Sequence, residues 1–137
     1  MNKYRSYVTV DEVETQQFDW GTLQWMSEPR VTGFDRMVTG LVTLQKGQGH
    51  AKHNHPGIEE ILYIMEGTGE QTIFYEDGTE DRRTVGPGQL IFLEKGQFHS
   101  TYNVAEEPLK ILAIYATTGP EVGMRNDPGC TLIPPRK

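Results

Sequence analysis

The chain has 137 residues and a single cysteine, Cys130, so no disulfide can form within it. No apolar run approaches the ~20 residues that a spanning helix needs. The first residues show no charged segment followed by an apolar run and a cleavage site. Together these absences lead us to expect a cytoplasmic protein with no membrane role. Basic residues are the minority, 13 Lys and Arg against 19 Asp and Glu, for a formal charge of −6. They form no cluster that would follow a phosphate backbone, so no nucleic-acid partner is expected. A small molecule is the expected partner. The length suits one domain that can bury a core without a structural metal, so any metal it binds would serve function.

Fifteen glycines and eight prolines divide the chain into short stretches rich in Val, Ile, Tyr, Phe and Thr. These read as strands over Met37 to Gln45, Glu60 to Met65, Glu70 to Tyr75, Arg82 to Val85, Gln89 to Leu93, His99 to Asn103 and Leu109 to Thr117. Between Tyr75 and Thr79, Asp77-Gly78 supplies the positive φ of a tight hairpin turn. No stretch has a convincing helical period, and Val10 to Phe18 reads as mostly extended. Short strands with turn chemistry between them predict an all-β sandwich or barrel. Met26, Met37, Met65, Phe74, Phe92 and Phe98 are expected to fill its core, and Cys130 to be a structural thiol.

The chemistry concentrates in Gly47-Gln-Gly-His50-Ala-Lys-His53-Asn-His55-Pro-Gly-Ile-Glu59-Glu60. On an extended chain, side chains at i and i+2 share a face, so His53 and His55 can point into one interior. Pro56 and Gly57 turn the chain, and Glu60, better than Glu59, can return to the same point. His99 adds a third imidazole at the start of a later strand. Three imidazoles and a carboxylate suit one divalent transition metal (Fe, Mn, Ni, Zn or Cu) rather than calcium. An octahedral ion held this way keeps two positions open for water, dioxygen or substrate. By parity His50 faces away from His53 and His55 and is expected to be exposed. Gln97, Thr101 and Asn103 share parity with His99 and are candidate substrate-binding groups. Glu94, in a turn nearby, is a candidate catalytic acid or base.

These residues resemble the two motifs of the cupin superfamily. The first appears as Gly47, His53, His55, Glu60 and Gly67, and the second as Gly88, Gly96, His99 and Asn103, with Glu94 where the family pattern has proline. The resemblance covers Met37 to Thr117. It implies a double-stranded β-helix, the jelly-roll barrel, with a metal at one end of its interior and commonly a homodimer. On this reading residues 1–36 are an arm whose Phe18, Trp20 and Trp25 find burial at the dimer interface. Residues 37–117 are the barrel, and residues 118–137 an irregular outer arm. Small cupins of this kind work as isomerases, epimerases or ring-opening enzymes. The leading expectation is therefore an isomerase- or epimerase-type enzyme acting on a sugar, sugar acid or other hydroxy-carbonyl compound. A dioxygenase using the open positions and a non-catalytic ligand-binding barrel are the alternatives.

Overall fold

Segments rich in β-branched and aromatic residues, cut by glycine turns, form eleven strands in the computed structural model, which describes residues 3–137. They are β1 (Thr15–Phe18), β2 (Gly21–Ser27), β3 (Val38–Leu44), β4 (Gly49–His53), β5 (Glu60–Glu66), β6 (Gly69–Phe74), β7 (Glu80–Val85), β8 (Leu90–Leu93), β9 (His99–Tyr102), β10 (Leu109–Tyr115) and β11 (Thr131–Ile133). A 3-10 turn covers Val10–Glu12, and one short helix, α1, covers Pro120–Arg125. Two antiparallel sheets result, one ordered β11-β1-β2-β3-β10-β5-β8 and the other β4-β9-β6-β7. This is the all-β jelly roll that the sequence predicts. Among the described residues no helix is long and apolar enough to cross a membrane.

Alternation builds the core. On β10, Leu109, Ile111, Ala113 and Tyr115 are buried while Lys110, Leu112 and Ile114 turn the other way. On β5, Leu62 and Ile64 are buried and Tyr63 and Met65 are not. With Leu23, Trp25, Val38, Leu44 and Leu93, these side chains form one apolar cluster between the sheets. Each fully buried aliphatic side chain contributes roughly 1.5–3 kcal/mol. The β6–β7 hairpin turns as expected, with the Tyr75 N–H donating to Thr79 O at 2.9 Å and Gly78 at φ +87°. Gly67, also at positive φ, lies so close to the β10 entrance that a Cβ there would come within 2.4 Å of the Pro108 oxygen.

Three expectations need correction. The stretch before residue 37 is not an outlying arm, because β1 and β2 are members of the larger sheet. Leu23 and Trp25 alternate inward with Thr22 and Gln24, and the Trp25 indole N–H donates to Gln16 Oε1 at 3.0 Å. Phe18 and Trp25 are thus buried within the chain itself. The tail is ordered too, with β11 pairing β1 and α1 packing Met124 against the core. Met37, Met65, Phe92 and Phe98 are exposed instead of filling the core, while Phe74 and Met26 are half-buried. Phe92 and Met65 sit on outward registers of their strands, which overrides their apolar character.

Candidate functional site

The first histidine segment passes from β4 through a Pro56-Gly57 turn into β5, and the second enters β9 after a turn at Gly96. Strand pairing brings them together, since β4 lies antiparallel to β9 with His53 directly opposite His99. The two loops are also tied, by the Gly96 N–H to His55 O at 3.2 Å and by Asn54 Nδ2 to Gly96 O at 3.1 Å. Glu60, the first residue of β5, is 4% exposed and points to the same place.

Hydrogen bonds set the tautomers. His53 Nδ1 lies 2.7 Å from Ala51 O, and His99 Nδ1 lies 2.9 Å from Gln97 O. A carbonyl only accepts, so each Nδ1 carries the proton and each Nε2 presents a lone pair. Ligand atoms of His53, His55 and His99 lie within 4.8 Å of one another. Glu60 Oε1 joins them, 3.3 Å from His99 Nε2 and 3.8 Å from His55 Nε2. Ligand bonds of about 2.0–2.2 Å around one ion give neighbouring donor atoms separations of about 3 Å and more. His55 Nε2 and Glu60 Oε1 are buried with no hydrogen-bond partner. Buried polar atoms normally have one, so two orphaned acceptor atoms converging on one point fit a cation there.

Burial keeps His53 and His55 neutral at ordinary pH. It pushes His53 down to about 4, with His99 adding to the effect. His55 is also lowered by burial, against the pull of the Glu60 charge. The Tyr115 phenol, fully enclosed, is raised by burial and then by the Glu60 carboxylate beside it. Neutral imidazole is the form that ligates a metal.

A narrow cavity of about 40 Å³ opens beside the cluster, lined on one wall by His50, His53, Glu60, His99, Thr101 and Tyr115. Leu23, Leu44, Leu62, Ile111 and Met124 make the rest of its lining apolar. His50, expected to be exposed, instead lies half-buried between Trp20 and His53, with ring centroids 4.4 and 3.6 Å away. The register of β4 against β9 shifts between His50 and His53, and this bulge defeats the parity argument. Burial, then the neighbouring histidines, pushes His50 down to about 3. Tyr115 went unnamed in the sequence reading, although the alternation Leu109, Ile111, Ala113, Tyr115 already aims it inward.

The remaining candidates separate. Thr101 lines the cavity, and its hydroxyl is hydrogen-bonded to Gln71 Oε1. Asn103 is completely buried, but its amide serves the backbone, donating to Leu44 O and Glu107 O and accepting from the Ala105 N–H. Gln97 Oε1 accepts from the Glu94 N–H at 3.2 Å, while its carbonyl orients His99. Glu94 is exposed and borders a different, outer cavity with Lys52 and Tyr75.

The family model for the cupin domain matches residues 40–115. A glucose-6-phosphate isomerase of Thermococcus kodakarensis is 33% identical over 89 residues, covering 64% of this chain and 46% of the relative. An oxalate decarboxylase of Bacillus subtilis is 28% identical over 79 residues, covering 58% of this chain and 20% of the relative. This chain spans less than half the length of the curated relatives it matches. A Bacillus subtilis oxalate decarboxylase structure, described for its Mn(II) centres, superposes with a TM-score of 0.68 at 22% identity, covering 75% of this chain and 27% of that one. That likeness is one of fold. From the family match and the two-sheet architecture, this chain belongs to the cupin family.

Proposed function

We propose that the protein is a metal-dependent isomerase-type enzyme acting on a small uncharged hydroxy-carbonyl compound. One observation carries the reading: three imidazoles and the buried Glu60 converge with two orphaned acceptor atoms on a cavity wall. His53, His55, His99 and Glu60 would hold a divalent transition ion, which when bound supplies Lewis-acid polarisation of a substrate oxygen. The relative named as an isomerase supports the reaction class, and the relative named as a decarboxylase supports small oxygen-bearing substrates.

The chain's own side chains narrow the substrate. No Lys or Arg lines the cavity among the described residues, so nothing there would neutralise a phosphate or free sugar acid. Its apolar wall also leaves few partners for a row of hydroxyls, each of which costs free energy when buried unpaired. The best match is one polar edge on an apolar body. Thr101 and His50 flank the histidine cluster and can hydrogen-bond that edge, and Tyr115 braces Glu60 from behind. His50, half-buried between Trp20 and His53, faces the same cavity. Removing a proton from the hydroxyl-bearing carbon beside the carbonyl, returning one to the former carbonyl carbon and passing the hydroxyl proton to the former carbonyl oxygen completes an isomerisation with no other reactant.

The test is proton exchange. Metal-loaded protein is incubated with dihydroxyacetone or glyceraldehyde in D₂O, and deuterium at carbon is followed by NMR. Exchange that disappears in His53→Ala and His99→Ala supports the reading. Stoichiometric metal without exchange would leave only a ligand-binding cupin.

We also propose that two copies pair through the outer face of β5 and β10. Cross-strand register places Leu112 beside Tyr63 and Ile114 beside Ile61, with Phe92 next in line on β8. Tyr63 and Phe92 are exposed, and a contiguous apolar face of this kind is characteristic of association surfaces. On this proposal the interface lies on the sheet rather than on residues 1–36.

A further inference from the structure

A second cavity, of about 240 Å³, lies where the two sheets part. β7 and β8 are the edge strands of their respective sheets and do not pair with each other, so a cleft runs between them. Ile73, Val85 and Ile91 give it apolar walls, and Phe92 leans on its rim. Gln71 also lines it, 3% exposed. One end of that amide is spent, because Oε1 is hydrogen-bonded to the Thr101 hydroxyl. The other end is not, because Nε2 is buried without a partner.

An unpaired buried amide N–H costs about 1–3 kcal/mol, and native structures rarely leave one without a reason. Among the described residues, the only charged groups lining the cleft are Asp81 and Arg83. Arg83 stands at its mouth but is held by Asp81 through two bonds of 2.9 and 3.0 Å, which cancels its charge locally. An anion would meet the Asp81 carboxylate as well as the guanidinium. From the orphaned Gln71 N–H, the apolar Ile73, Val85 and Ile91 and the mutually paired Asp81 and Arg83 we infer that the β7–β8 cleft is a second ligand site, separate from the histidine cavity. It takes an uncharged molecule with a ring-sized apolar body and one carbonyl oxygen that accepts from Gln71 Nε2. The site contains none of the metal-ligand residues, so it stands or falls independently of the isomerase reading. Gln71 and Thr101 form its shared wall with the histidine cavity.

The probe is benzamide, titrated into ¹⁵N-labelled full-length protein and followed by two-dimensional NMR, with toluene and benzoate as comparisons. Benzamide should shift the Gln71 side-chain amide and the Val85 and Ile91 backbone signals saturably, with Kd on the order of 1 mM. Toluene, which fills the walls but cannot accept, should bind about tenfold more weakly, and so should benzamide to Gln71→Leu. Benzoate should bind no better than toluene. Val85→Trp, filling the cleft, should abolish all shifts while leaving metal uptake at the histidines intact. The comparison of the three probes needs no variant, so a folding defect in either substitution does not blunt it. Equal affinity for benzamide and toluene, shifts centred on Thr101 and Met124, or no saturable shift up to about 20 mM would each overturn the assignment, the last meaning that solvent alone satisfies Gln71.

Discussion

The Nε2 atom of His99 and the Oε1 atom of Glu60 lie 3.3 Å apart, in side chains that are both almost completely buried. His99 spends its proton on Gln97 O, and Glu60 brings a carboxylate. A cation between two acceptors held this close would satisfy both. A metal should therefore stabilise the fold, by about 2.7 kcal/mol at a hundredfold excess over Kd. In a chain of this size that is roughly a 10 °C rise in Tm. Calorimetry with added Mn²⁺ or Zn²⁺ against chelator-treated protein measures it. Glu60→Gln should lower metal affinity at least tenfold, and a Tm indifferent to metal in the unaltered protein would contradict the site.

Acid should unfold the metal-free protein through its histidines. In the unfolded chain these titrate near 6.5, whereas His53 and His50 in the folded chain titrate at about 4 and about 3. Between those values the unfolded state binds more protons, so stability is full above about pH 6.5 and declines as pH falls toward 4 and then 3. Urea midpoints at pH 7.5, 5.5 and 4.5 should fall in that order. His50→Phe, which keeps a ring against Trp20, should flatten the dependence. A midpoint that rises on acidification would show that the imidazoles are not held neutral.

The legible parts of this molecule are those where local chemistry and tertiary context agree. The i, i+2 pair His53 and His55, the turn at Pro56-Gly57 and the strand start at Glu60 could be read directly, because each follows from backbone period and turn residues. His50 could not. Its place depends on a bulge in β4 that is set by pairing with β9, a partner some fifty residues away whose register leaves no local mark. Trp25 was legible as a residue needing burial, but not as buried within its own chain. The alternation of β2 is only three periods long, and its partner β3 lies beyond an irregular stretch that looks like a linker. Glu94, exposed beside an outer cavity, marks the same limit, since sequence proximity to His99 says nothing about the direction in which a turn projects.

The short carboxy-terminal helix should prove essential to stability despite its six residues. Arg125 donates to Glu14 at 2.8 Å and to Glu28 at 2.6 Å, and the Glu28 side chain is 3% exposed. Replacing Arg125 with Met leaves a buried carboxylate without its partner, a loss of about 3–5 kcal/mol. Thermal denaturation should show it as a Tm drop of roughly 10 °C or more. Adding Glu28→Gln should recover part of the loss. Met124, the neighbouring residue, lines the histidine cavity, so Arg125→Met should also disturb NMR signals from that wall.

Charge on the outer sheet face should split the proposed dimer. Tyr63 sits between Leu112 on β10 and Leu90 on β8, in the middle of the apolar face. In a two-fold pair, one substitution alters the interface twice, so Tyr63→Lys places two ammonium groups within an apolar contact. Burying either is far costlier than leaving it in water, whereas the folded monomer leaves residue 63 exposed and loses little. Light scattering should give twice the 15.5 kDa chain mass for the unaltered protein and the chain mass for Tyr63→Lys, with unchanged circular dichroism. Gln17→Lys, at an exposed position of β1 among the first 36 residues, should leave the dimer intact. If Gln17→Lys breaks it and Tyr63→Lys does not, the interface lies on the amino-terminal strands after all.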